Sequence, residues 1–154
     1  MLESIRSFFR KHMAQDAQAD AAAATARARV AAAALLIEVV RSDDEFSAAE
    51  RQAVIEAASR KFGLQPGEAQ ALVGLAEAEA REAHDLYQFT SLINASFSPG
   101  QKQVLVEELW RVAWSDDVLH RYEEHLIRKV ADLIHVPHSA FIAAKLRVQD
   151  ARSR

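Results

Sequence analysis

One stretch of this chain occurs twice. Glu38-Val39-Val40-Arg41-Ser42-Asp43-Asp44-Glu45-Phe46-Ser47-Ala48-Ala49-Glu50 returns 73 positions later as Arg111-Val112-Ala113-Trp114-Ser115-Asp116-Asp117-Val118-Leu119-His120-Arg121-Tyr122-Glu123. In both copies an apolar helix runs into Ser-Asp-Asp, the chain turns, and a new helix carries a glutamate seven residues after the first aspartate. Further on, Phe62-Gly63-Leu64-Gln65-Pro66 answers Ile134-His135-Val136-Pro137, with the offset slipping to 72. A repeat of this length describes one supersecondary unit used twice, and predicts two halves related by an approximate two-fold axis.

The segments between these turns read as helices. From about Ala24 to Ser42, Val30, Leu35, Leu36, Ile37, Val39 and Val40 are set among alanines and leave little polar face, which predicts a helix at the centre of a bundle. Ser47 with Glu50 three residues on is a capping box that opens the next helix, whose inner face is Ala53, Val54, Ala57, Ala58 and Phe62. Gly63 is its stop. Pro66-Gly67-Glu68 opens a third helix to about Ala83, through Ala69, Leu72, Val73 and Ala76.

A short helix spans residues 85–97, with Leu86, Phe89, Ile93 and Phe97 on one face. Ser98-Pro99 then starts a helix to Ser115, with Val104, Leu105, Leu109, Val112 and Ala113 inward and Gln103, Glu107 and Arg111 opposite. Two helices close the second unit, one through Tyr122, Leu126, Ile127, Val130 and Ile134, the other through Phe141, Ile142 and Leu146. The tail from Gln149 is polar and expected to fray. No alternation of period two is present, so the expected fold is all-α: a compact bundle of about seven helices built from two pseudo-repeated three-helix units, over residues 24–150.

Residues 1–23 stand apart. Residues 2–13 form an amphipathic pattern with Leu2, Ile5, Phe8 and Phe9 on one face and Arg6, Arg10 and Lys11 elsewhere. Such a helix docks on the domain, on a second copy, or on a membrane surface. Residues 14–23 lack an apolar stripe and read as a linker or a solvated helical extension.

Composition narrows the function. With 4 Gly and 3 Pro the chain has few helix breakers. No cysteine is present, which removes disulfides, thiolate chemistry and cysteine zinc sites, and fits a cytoplasmic protein. A net charge of −3 gives no basic field for nucleic acid. No apolar run reaches the roughly 20 residues of a membrane span.

With these motifs in place, the chain resembles the TerB-like family, the tellurite-resistance TerB fold also found at the N-terminus of a membrane-anchored DnaJ-like co-chaperone. The residues that carry the likeness are Ser42-Asp43-Asp44 to Glu50 and Ser115-Asp116-Asp117 to Glu123. The stretches DLYQFTSLIN, ELWRVAWSDD, RYEEHLIRKVADLI and VPHSAFIAAK add a likeness to an uncharacterised bacterial branch. The resemblance covers about residues 30–148. The family's usual glycine after the motif aspartate is Asp44 and Asp117 here, which stiffens each turn and adds negative charge. The resemblance implies an all-helical, non-enzymatic domain linked to stress or tellurite resistance.

Two readings of the acidic turns remain open. Ser47 and Glu50 are explained by capping, worth about 0.5–2 kcal/mol. The paired aspartates precede helix starts, where negative charge is favoured, but also follow helix ends, where it is disfavoured. The alternative is a site in which Asp43, Asp44, Glu50, Asp116, Asp117 and Glu123 bind a divalent cation or a basic partner surface. Carboxylates alone suit Ca²⁺, Mg²⁺ or Mn²⁺, and His125 as a further ligand would turn the choice toward Zn²⁺. The spacing is not that of an EF-hand, and His120 and His125, five apart, diverge on a helix too far for a zinc-protease pair. Further readings are a metal-dependent hydrolase on the same carboxylates, and a membrane-surface adaptor through residues 2–13. Trp110 and Trp114 share a face, and belong either to the core or to a surface for a protein partner or homo-oligomer.

Overall fold

A single helix of 24 residues, α1 (Ala17–Val40), runs through the middle of the computed structural model, which describes residues 17–41, 46–83, 85–115 and 121–152. Six more helices follow: α2 (Ala48–Phe62), α3 (Pro66–Glu82), α4 (Tyr87–Ser96), α5 (Pro99–Ala113), α6 (Arg121–Leu133) and α7 (His138–Arg152). Among the described residues there is no strand. The described residues form the expected all-α bundle of about seven helices.

Packing explains why α1 needs no polar face. It lies against α2, α3, α4, α5 and α6, so from Val30 to Val40 side chains pointing in nearly every direction meet another helix. Ala31, Ala32, Ala33, Ala34, Leu35 and Leu36 are all fully buried. Alanine at the centre lets neighbouring backbones come close, and the larger Leu35, Leu36 and Ile37 fill the space toward the C-terminal end. The helix also begins earlier than the apolar pattern does. Residues 17–23 continue α1 as a helical extension, although their small polar side chains carry no stripe. The amphipathic pattern at residues 2–13 lies outside the described residues.

The second helical layer is organised by α5. It packs on α1, α2, α6 and α7. Trp110 is fully buried and stands at the centre of an aromatic cluster, 5.7 Å from Trp114 and 5.3 Å from Phe141 between ring centroids. Of the two tryptophans, Trp110 is therefore core and Trp114 half-buried beside it. One inward assignment fails. Val104 is exposed, while Val106 and Glu108 are buried with Leu105 and Leu109. The buried arc of α5 is rotated toward α1 and α7, because this helix is covered on several sides rather than on one. Ile142 and Leu146 of α7 are likewise exposed, and Phe141, Ala144 and Val148 make its buried stripe. The polar tail does not fray at Gln149, since α7 continues to Arg152.

Helix ends follow local chemistry. Ser47 accepts a hydrogen bond from the Glu50 amide at 3.1 Å, and Glu50 accepts one from the Ser47 amide at 2.8 Å, completing the capping box. Ser98 and Gln101 do the same at the start of α5. At the other end of α2, Gly63 takes a left-handed conformation, φ 63°, and the Leu64 amide donates to the Ser59 carbonyl at 3.1 Å. His135 adopts nearly the same conformation after α6, φ 64°, and the Val136 amide donates to the Ala131 carbonyl at 2.9 Å. These are the positions that the offset of 72 aligns. Only at the first does glycine remove the steric cost of a positive φ.

Two stability changes follow. Replacing His135 by glycine is expected to raise stability by about 0.5–1 kcal/mol, read as a higher urea midpoint at unchanged slope. Ala32→Leu is expected to lower it by about 1–3 kcal/mol, because the added atoms have no space between α1 and its neighbours.

Candidate functional site

Helices α2 and α5 run antiparallel, and their pairing places the described flanks of the two acidic segments. At one end of the pair the Lys61 ammonium donates to the Gln101 carbonyl at 3.0 Å. Midway, Arg60 reaches Glu108, with Nη2 3.0 Å from Oε2. At the other end Ala49 and Ser115 line one groove of about 400 Å³, together with Gln52, Glu56 and Arg111. Ala49 lies just past the first acidic segment and Ser115 immediately before the second. The described flanks of the two turns are therefore neighbours.

Of the six carboxylates singled out from the sequence, Glu50 and Glu123 fall within the described residues, while Asp43, Asp44, Asp116 and Asp117 fall outside them. Glu50 is half-exposed and its Oε1 is occupied by the cap. Glu123 is buried in the first turn of α6. Among the described residues no three of His, Asp and Glu gather as metal ligands would. His125 is exposed on α6.

Sequence reasoning missed the carboxylate that holds two arginines of the groove wall. Glu108 is buried, and accepts from Arg60 and from Arg111, whose Nη1 is 2.7 Å from Oε1. Both guanidiniums keep substantial contact with water, so the pair network is anchored from the surface rather than sealed in the core. A signal existed: Glu108 stands three residues after Leu105 and four before Val112, on the inward face. Elsewhere, Glu79 of α3 is buried too, and burial pushes its carboxyl up from the usual range.

A second cavity, of about 600 Å³, opens at the far end of the α2–α5 pair, lined by Arg29, Lys61, Phe62, Phe97 and Gln101 among others. The rings of Phe62 and Phe97 meet edge to face at 6.4 Å. Lys61 stands 4.7 Å from the Phe97 centroid, and Arg29 5.2 Å from that of Phe62. Burial lowers the Lys61 ammonium from 10.5 to about 8, and the negative charge of Glu108 works the other way.

Taken together, the described residues form a helical bundle in which the flanks of the two Ser-Asp-Asp segments, Ala49 and Ser115, meet at one end of an antiparallel helix pair. The family model described as tellurite resistance protein TerB matches residues 29–146, most of the chain, and the protein belongs to that family. None of the curated proteins and none of the solved structures compared with it gives a match. No helix of the described residues is long and apolar enough to cross a membrane.

The Lys61 shift sets a pH dependence. Between about 8 and 10.5 the unfolded chain keeps the lysine proton that the native state has released, so stability rises with pH through this window. Stability curves of the protein and of Lys61→Met at pH 7 and pH 10 are expected to show that rise in the first and its loss in the second.

Proposed function

We propose that this TerB-family domain works by binding rather than catalysis, and that the two acidic turns together hold a divalent cation. The observation that carries the reading is the antiparallel α2–α5 pair, which makes Ala49 and Ser115 walls of one groove. Ser115 is one peptide bond from Asp116, and the first acidic segment leads directly into Ser47 and the start of α2. The residue that follows the first segment and the residue that precedes the second therefore stand at the same end of the helix pair.

Carboxylates brought near one another repel. Two such charges 5 Å apart cost roughly 3 kcal/mol at an effective dielectric near 20. A divalent cation removes that repulsion, and an oxygen-only donor set of Asp43, Asp44, Asp116 and Asp117 suits a hard ion such as Ca²⁺, Mg²⁺ or Mn²⁺. Glu50 contributes through its cap, by fixing the start of α2, and has a second carboxylate oxygen beyond the one the cap uses. Glu123 sits at the corresponding position of α6 and would close the set from that side. Binding is favoured over hydrolysis because the arginines of the groove are ion-paired with Glu108, Glu56 accepts from Gln52, and among the described residues no hydroxyl there is hydrogen-bonded to a base. Without the cation, the same acidic end would suit a basic partner surface.

The test is a thermal melt of chelator-stripped protein with each of Ca²⁺, Mg²⁺, Mn²⁺ and Zn²⁺. An ion that binds only the folded state is expected to stabilise by about 2.7 kcal/mol at a hundredfold excess over its dissociation constant. That gain should vanish in Asp43→Asn plus Asp116→Asn. A melt that no ion shifts would reject the cation site.

A further inference from the structure

The cavity between Arg29, Lys61, Phe62 and Phe97 has a composition at odds with the chain around it. The protein carries 22 acidic against 19 basic residues, yet among the described residues no acidic side chain lines this cavity, and two cations do. Both cations stand against the same ring: Arg29 is 5.2 Å and Lys61 5.4 Å from the Phe62 centroid. Among the described residues neither forms an ion pair. The aromatic faces stabilise one side of each cation, as ring quadrupoles do, and leave the other side toward the cavity. Lys61 is further held by its bond to the Gln101 carbonyl, so its position is set before any ligand arrives. Gly100, the second residue of α5, lines the same space and has an amide with no acceptor inside the helix.

We propose that this cavity binds the oxyanion group, a carboxylate or a phosphate, of a small molecule, held between Arg29 and Lys61. The site lies at the opposite end of the α2–α5 pair from Ala49 and Ser115 and does not depend on a metal there. Arg29 supplies a fixed charge with paired donors, which matches the two oxygens of such a group. Lys61 supplies a point charge that is already partly stripped of water, so an arriving anion loses less to desolvation of its partner. The roughly 600 Å³ of space is in the range of small-molecule sites, and the Phe62 and Phe97 rings give an apolar wall beside the charged end.

The charge on Lys61 should control affinity. It is faced by Arg29 from α1 and by Glu108 from α5, with Arg60 adjacent on its own helix. Near pH 8 it begins to lose its proton, and an anion then loses one of its two partners. Benzoate keeps a constant charge across this range, which makes it a clean probe.

The experiment follows backbone amides of the full chain by NMR during separate titrations with benzoate and with inorganic phosphate at pH 7. Saturable shifts at Arg29, Lys61, Gly100 and Gln101 are expected with at least one probe, and which probe succeeds distinguishes a carboxylate from a phosphate ligand. Benzoate affinity, if that probe binds, is expected to fall about tenfold from pH 7 to pH 9 as the lysine becomes neutral, and to stay level in Lys61→Arg. Arg29→Gln plus Lys61→Met should abolish the shifts while the remaining spectrum keeps its dispersion. Two results would overturn the proposal: no saturable change at these amides with either probe at millimolar concentration, or shifts that persist in the double variant. Lys61→Arg keeps the charge, so it gives a decisive reading even if the double variant unfolds.

Discussion

Between Val30 and Val40 only Glu38 keeps appreciable contact with water, so this length of α1 has to be enclosed by other helices. Enclosure on every side needs neighbours in several directions, and α2, α3, α4, α5 and α6 supply them. Burying apolar surface stabilises by roughly 25 cal/mol per Å², and a helix with no polar face gives all of its surface to that term. The outer helices are then free to be amphipathic, while α5 is itself covered on several sides. The exposed Ile142 and Leu146 of α7 show the outer limit of that arrangement, since α7 is packed chiefly on α5 and to a lesser degree on α6.

The pairing of α2 with α5 is the second constraint, and it is polar where the first is apolar. Its contacts run from Lys61 and Gln101 through Arg60 and Glu108 to Ala49 and Ser115. This fixes both the direction of the two helices and their register. Glu108 is central, because a buried carboxylate without its guanidiniums would be costly. Register errors that move it away from Arg60 and Arg111 are therefore disfavoured. The same register brings the flanks of the two Ser-Asp-Asp segments to one end and the cation-lined cavity to the other.

Much of the architecture was legible because the helices announce their own ends. Ser47, Ser98, Gly63 and Pro66 each act through backbone chemistry that is local in sequence, and α2, α3, α4 and α5 begin or end within a few residues of those signals. The central position of α1 was legible from its lack of a polar face. Its early start was not, because residues 17–23 are good helix formers without an apolar stripe to mark them. Val104, Glu108 and the Lys61 environment were misread or missed for a common reason. Each depends on which neighbour covers which side of α5, a tertiary matter that periodicity on one helix does not encode. The candidate acidic site was legible as a pattern of residue types, and the proximity of its flanks needed the antiparallel pair to be seen.

Alanine has no side-chain torsion to lose on folding, whereas leucine or methionine gives up rotamer freedom when buried. A bundle whose axis is Ala31-Ala32-Ala33-Ala34 is therefore ordered at small entropic cost at its centre. The same property makes that centre unable to relax by changing rotamers. A displacement imposed on α1 at Arg29, near its midpoint, meets no soft side chains along residues 31–34 to absorb it. In mechanical terms this alanine length of α1 is a stiff shaft in a close-fitting sleeve.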